Sequence, residues 1–165
     1  MHYLIDGYNL LFQLPELKGA SLQVKREKII EIFQEYLISI PLQITIVFDG
    51  NKQSSAEVIK RHINQLEIVY TAKKQTADSY IIEELETSFH PQNFVVVTSD
   101  SGLARQSQGL QASTQTIEEF LEYLSGKMRK KAKKEMREKP SEEPQKDMER
   151  LRIIFEKRLN KKNKN

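Results

Sequence analysis

Ile44-Thr45-Ile46-Val47-Phe48-Asp49-Gly50 decides the fold class: an unbroken β-branched and aromatic run ends in an aspartate and a glycine. A run that does not alternate marks a strand covered on both faces, because a half-exposed strand would interleave polar residues. Working outward, Tyr3-Leu4-Ile5 leads into Asp6-Gly7, and Phe94-Val95-Val96-Val97-Thr98 leads into Ser99-Asp100. A fourth run, Leu66-Glu67-Ile68-Val69-Tyr70-Thr71, alternates more and is expected nearer a sheet edge. Helical spacing fills the gaps. One helix starts after the N-cap candidate Ser21 and runs to about Ser39, carrying Ile29, Phe33, Leu37 and Ile40. Another follows Thr76 with Ile81, Ile82, Leu85 and Phe89 as its apolar stripe; a short one runs from Ser101 to about Gly109, and a long one begins near Thr116. Strands and helices alternating in this way predict an α/β fold, a central parallel sheet of four or five strands with helices on both faces. Ala56, Val58, Ile59 and Ile63, within residues 51–65, fit either a short helix or an irregular connection.

Bulk composition narrows the function classes. The 165 residues suffice for one catalytic body plus an appendage. No stretch nears the roughly 18 apolar residues that cross a bilayer, so no membrane role and a cytoplasmic setting are expected. The chain has no cysteine, which removes disulfides, thiolate nucleophiles and Cys-based zinc sites; Asp, Glu and three His remain as metal ligands. Charge is divided unevenly. Residues 1–125 hold 10 Lys and Arg against 16 Asp and Glu, while residues 126–165 hold 16 against 7. The division points to one acidic body over 1–125 and a basic helical C-terminal extension over 126–165, in which Pro140 and Pro144 make a hinge and Met148, Leu151, Ile154, Phe155 and Leu159 a second amphipathic helix. A basic helical stretch attracts a phosphate backbone through counterion release; a solvated helix face has the same composition.

Chemistry is expected where the strands end, since ligands of open parallel sheets bind beyond the carboxyl ends of the strands. Three apolar runs end in Asp6, Asp49 and Asp100, and neighbouring strands lie about 4.8 Å apart. Carboxylates gathered at that spacing repel unless protons or a cation neutralise them. Asp78 precedes Ile81, Ile82 and Leu85 by three, four and seven residues, which turns it toward the apolar face of its helix. Each aspartate has a plainer reading: Asp-Gly makes turns, Asp100 can cap the following helix, and Asp78 can be a first-turn acid. Turns and caps give no reason for all of them to meet on one edge, so the constellation weighs more than its members.

These residues also carry a family likeness. Leu4-Ile5-Asp6-Gly7-Tyr8-Asn9-Leu10, Val47-Phe48-Asp49-Gly50, Thr76-Ala77-Asp78-Ser79 and Thr98-Ser99-Asp100 resemble, in order and spacing, the YacP-like branch of NYN domains in the PIN-like nuclease superfamily. The resemblance spans about residues 1–125. It implies a PIN-like three-layer α/β/α sandwich, a divalent-metal endoribonuclease, and RNA and the ribosome as partners, with mRNA as the expected substrate. It further implies Asp6, Asp78 and Asp100 as catalytic and metal-binding acids, Asp49 as a direct or water-mediated ligand, and Asn9 as a supporting amide. PIN-like enzymes often carry one more acid after the last motif. Ser101 and Gly102 stand there in this chain, which leaves one or two ions open.

The expected reaction is hydrolysis of an RNA phosphodiester with Mg²⁺ or Mn²⁺. His2, His62 and His90 sit in unrelated contexts, which disfavours a histidine acid–base pair and predicts 5′-phosphate ends. Lys73, Lys74 and Arg105 flank the acidic edge as phosphate contacts, with Ser99 as a polar support. Two rivals come from other classes. One is a catalytically inactive RNA- or ribosome-binding module of the same fold; the other is a haloacid-dehalogenase-type phosphatase, which needs an aspartate where Tyr8 stands.

Overall fold

The computed structural model describes residues 1–13, 19–50 and 56–138, the last four by backbone alone. The Pro140–Pro144 hinge and the amphipathic helix over Met148–Leu159 lie outside the described residues. The chain divides after Ile117 into two compact units.

The first unit is built on a six-stranded sheet. Its strands are β1 (His2–Asp6), β2 (Gln43–Phe48), β3 (Ile59–Ile63), β4 (Leu66–Tyr70), β5 (Phe94–Val97) and β6 (Ser113–Gln115), in spatial order β3-β4-β2-β1-β5-β6. All neighbours run parallel except β3 and β4. The three unbroken runs form the centre, as their lack of alternation requires. The sheet therefore has more strands than the four or five expected. One addition is β3, in the stretch 51–65 that sequence left open; it folds back on β4 through Asn64, whose φ of 55 suits asparagine in a tight turn. Its Lys60, Arg61 and His62 are exposed on an edge and needed no apolar pattern. The other is β6, three residues long and equally unmarked.

Register assigns the two faces. Leu4 pairs with Thr45 and Val96, Asp6 with Val47, and Val47 with Val69, so these side chains share one face. There they pack with Ala77, Ile81 and Leu85 of the helix Ala77–Thr87 and with Leu103 of the helix Ser101–Gly109. Ile5, Ile46, Phe48 and Ile68 alternate onto the opposite face and are fully buried, as are Ile29, Phe33 and Tyr36 of the helix Leu22–Ser39. That helix begins at Ser21, whose hydroxyl accepts from Val24 N. Numbering helices along the chain gives α1 (Gly7–Phe12), α2 (Leu22–Ser39), α3 (Ala77–Thr87), α4 (Ser101–Gly109) and α5 (Ile117–Glu138).

The alternative reading of Asp6-Gly7 as a plain turn falls away, because α1 starts directly at Gly7 with Asp6 as its N-cap. Glycine is required there for space: a Cβ would collide with the Phe48 ring and press on Val47 O. One expectation needs correction: Phe89 does not extend the stripe of α3, which ends at Thr87 and leaves that ring 96% exposed.

The second unit, from Glu118, consists in its described part of α5, which runs unbroken through Gly126. Lys127, Arg129, Lys130, Lys133 and Lys134 are exposed along it, and the Lys127 ammonium lies 5.4 Å from the Tyr123 ring centroid. No helix among the described residues is long and apolar enough to cross a membrane.

Candidate active site

Because β1, β2, β4 and β5 are parallel, their carboxyl ends share one edge. Asp6 is the last residue of β1, Asp49 follows β2, and Asp100 lies three residues past β5. Asp78 reaches the same edge from the first turn of α3. Each of the strand-end aspartates also builds backbone. Asp6 caps α1, taking Asn9 N on Oδ1 at 3.1 Å and Asn9 Nδ2 on Oδ2 at 2.8 Å. Asp100 caps α4 by accepting from Leu103 N at 2.8 Å. Asp49 Oδ1 accepts from Ala77 N, the first amide of α3, and so sets the helix that carries Asp78. Thr76 and Ser79 complete that helix start as a reciprocal capping box. Gly50 lets the chain after β2 lie against β4, since a Cβ would overlap Thr71 O.

Asn9 ties the acids together. Its second amide hydrogen goes to Thr98 Oγ1 at 3.3 Å, and that hydroxyl oxygen also accepts from Asp100 N at 3.0 Å. Asp6 and Asp100, 94 positions apart in the chain, are thus held through one side chain and one hydroxyl. Sequence alone assigns Thr98 no role. The available signal was a hydroxyl, rather than another aliphatic residue, closing the apolar run before Asp100.

Asp78 is the electrostatic focus. Half-buried, its carboxyl is pushed above the usual aspartate range, first by burial and then by Asp6, Asp100 and Asp49. Among the described residues it has no hydrogen-bond partner, and no lysine or arginine pairs with any of the four aspartates. Such a group is costly unless a proton or cation joins it. Hard carboxylate oxygens and an uncompensated negative charge fit a divalent ion of the Mg²⁺ or Mn²⁺ type. As placed, no three acidic or imidazole groups among the described residues close into a ligating cluster.

The family model for the YacP-like NYN domain matches residues 3–164. The chain belongs to the YacP-like NYN family. Protein YacP of Bacillus subtilis (strain 168) is 28% identical over 150 residues, covering 84% of this chain and 85% of that protein. The crystal structure of a mutant of Rae1 (YacP) from Bacillus subtilis matches over the whole of both chains with a TM-score of 0.66 at 22% identity. A second Rae1 (YacP) structure from that organism gives 0.59 at 22% identity, covering 99% of this chain and 92% of the other. These structures bear on the fold alone. Membership of the YacP-like NYN family supports a nuclease-type, RNA-related function.

In this YacP-like NYN domain the remaining candidate residues sit around the acids without bonding to them. Lys73 and Lys74 are exposed between β4 and α3, with Lys74 at a φ of 77. Arg105 is exposed on α4 and its Nε donates to Ser101 O at 3.2 Å. Ser99 is exposed and accepts from Gln13 Nε2. His2 opens β1, at the far end of that strand from Asp6, and His62 lies in β3; none of the groups acting on Asp78 is a histidine.

Proposed function

We propose that this protein is a divalent-metal-dependent endoribonuclease that hydrolyses RNA phosphodiester bonds in the cytoplasm, with mRNA on the ribosome as its substrate. The observation that carries the reading is Asp78: a half-buried carboxyl raised by burial and by three other aspartates, with no lysine or arginine paired to it among the described residues. Asp6, Asp78 and Asp100 would hold the ion, with Asp49 direct or through water. Bound there, Mg²⁺ or Mn²⁺ would supply an activated water and offset charge on the pentacovalent phosphorus. The chain's own part is placement. Asn9 fixes both oxygens of Asp6 and reaches toward Asp100 through Thr98; Asp49 anchors α3 and with it Asp78. Lys73, Lys74 and Arg105 would receive phosphates on either side of the scissile bond. The exposed lysines and arginine of α5 would add backbone affinity without reading sequence. Hydrolysis would add water oxygen to phosphorus and break the P–O3′ bond, the 3′ oxygen leaving with a proton and the phosphate staying on O5′ of the downstream nucleotide.

A second reading has an observation of its own: Asp6, Asp49 and Asp100 all serve as helix-starting acceptors, which an inactive RNA- or ribosome-binding module would keep for stability. One experiment separates them. Purified protein is incubated with total cellular RNA with and without Mn²⁺, and 5′ ends are mapped against Asp6→Asn. Discrete, metal-dependent 5′-phosphate ends absent from the variant are expected; RNA retained intact with undiminished binding identifies the inactive module.

A further inference from the structure

Around the carboxyl edge from the aspartates, on the other face of the sheet, aromatic rings follow one another. Tyr70 stacks on Phe48 with centroids 5.7 Å apart, the Tyr8 ring meets Phe48 edge-on at 5.7 Å, and Phe12 lies 6.3 Å beyond Tyr8. The Arg26 guanidinium covers the far end, 5.6 Å from the Tyr70 ring. Phe48 is fully buried, but Phe12 is 74% exposed and Tyr8 half-exposed. Tyr8 and Phe12 are one turn apart on α1, so their rings lie along the same side of the helix that Asp6 caps.

We propose that Tyr8 and Phe12 form a stacking platform for an unpaired nucleobase next to the scissile nucleotide, so that the site takes single-stranded RNA. This inference rests on the nuclease reading for its position along the substrate. Three features of the pair support it. A ring as exposed as Phe12 gains by being covered, and an unpaired base offers a flat apolar face of matching size. Tyr8 is braced from behind by Phe48, which is itself fully buried and stacked on Tyr70, so the platform loses little freedom on binding. The Tyr8 hydroxyl has no hydrogen-bond partner among the described residues and remains open to a base edge or ribose. A duplex, whose bases already stack on each other, has no free face to offer.

The test is binding by the full-length protein, in EDTA so that no cleavage intervenes, of a labelled single-stranded 12-nucleotide RNA and of a blunt duplex of equal length. For Phe12→Ala and for Tyr8→Leu, single-strand affinity should fall about tenfold each. Duplex affinity should stay within about twofold, and the salt slope should not change, because no phosphate contact is lost. Phe12→Trp should bind at least as tightly as the parent. Thermal unfolding checks that each variant is folded; exposed Phe12 makes its alanine variant the safer one. Single-strand binding unchanged in folded Phe12→Ala, equal losses on duplex and single strand, or no single-strand binding by the parent would each overturn the platform. Failure of the nuclease reading is recorded separately, as a parent protein that grips single strands through Phe12 yet cuts no RNA when Mn²⁺ is added.

Discussion

Two polar clusters share one face of the same sheet and differ in how their charge is met. Toward the amino ends of the strands, His2 Nε2 is 2.8 Å from Thr45 Oγ1, which donates to Glu67 Oε2 at 2.9 Å; Lys60 and His62 flank that carboxylate at 4.0 and 3.4 Å. Donor meets acceptor and cation meets anion within the chain. At the carboxyl ends, Asp6, Asp49, Asp78 and Asp100 share one edge with no lysine or arginine paired to them among the described residues, and Asp78 is pushed up by its burial and by the other three. A closed network serves the fold. An open one of a single sign is a cost that stability alone would not retain, which is why the chemistry is assigned to the carboxyl edge.

The strongest way to break this contrast is to neutralise one acid at each end. Asp100→Asn should cut Mn²⁺-dependent RNA cleavage at least roughly 100-fold, since the ion's share of transition-state stabilisation is several kcal/mol. Thr45→Val, which opens the closed network, should cost about 1 kcal/mol of stability and leave single-turnover cleavage unchanged. Equal rates for the two variants would abolish the distinction. A milder effect is expected from Asn9→Ala, which removes the amide between Asp6 and Thr98 but no carboxylate. Its cleavage rate should fall roughly 10- to 100-fold, as for outer-shell partners of metal ligands, with more Mn²⁺ needed for half-maximal rate.

The sequence is legible where burial imposes a pattern and silent where it does not. β1, β2 and β5 are covered on both faces, so their apolar runs announced them; α2, α3 and α4 carried their caps Ser21, Thr76 and Asp100 in plain view. β3 and β6 escaped because an exposed edge and a three-residue pairing impose no composition. α1 was hidden by Gly7, which reads as turn chemistry and is in fact a steric necessity against Phe48. At the site, strand-end position singled out Asp6, Asp49 and Asp100 and helical spacing singled out Asp78, but the anchoring of Ala77 by Asp49 and the bridging part of Thr98 depend on which strands lie side by side. Cap and ligand are not alternatives at Asp100: one of its carboxylate oxygens caps α4 and the other remains free of hydrogen bonds among the described residues.

Stability measurements sharpen the comparison further. Asp78 titrates above its unfolded range, so its contribution is full at low pH and is lost as pH rises through the raised value; at neutral pH the metal-free protein bears the cost. In EDTA at neutral pH, Asp78→Asn should therefore melt about 2 °C above the parent, a modest figure because the group is partly solvated. The advantage should shrink on acidification. Added Mg²⁺ should raise the melting temperature of the parent and do so less for the variant. A variant less stable than the parent in EDTA would mean that Asp78 is satisfied and the edge is not open.

The smallest effect belongs to the closed network and has the opposite sign. The Thr45 hydroxyl gives its one hydrogen to Glu67, so His2 must present a hydrogen on Nε2, which the neutral ring can do. Burial holds His2 below the ordinary histidine value, outweighing the upward pull of Glu67 and Glu84. For a base with a lowered folded value, stability is present above the unfolded value. It is lost as pH falls from there, because the unfolded chain takes up the proton first. The parent should therefore lose melting temperature on acidification through the histidine range, by under about 2 °C from this group. His2→Gln, which retains a donor for Thr45 but cannot titrate, should flatten that part of the profile while Asp78→Asn leaves it in place. If His2→Gln has the parent's acid slope, the amino-end network is not the closed, neutral structure its hydrogen bonds describe.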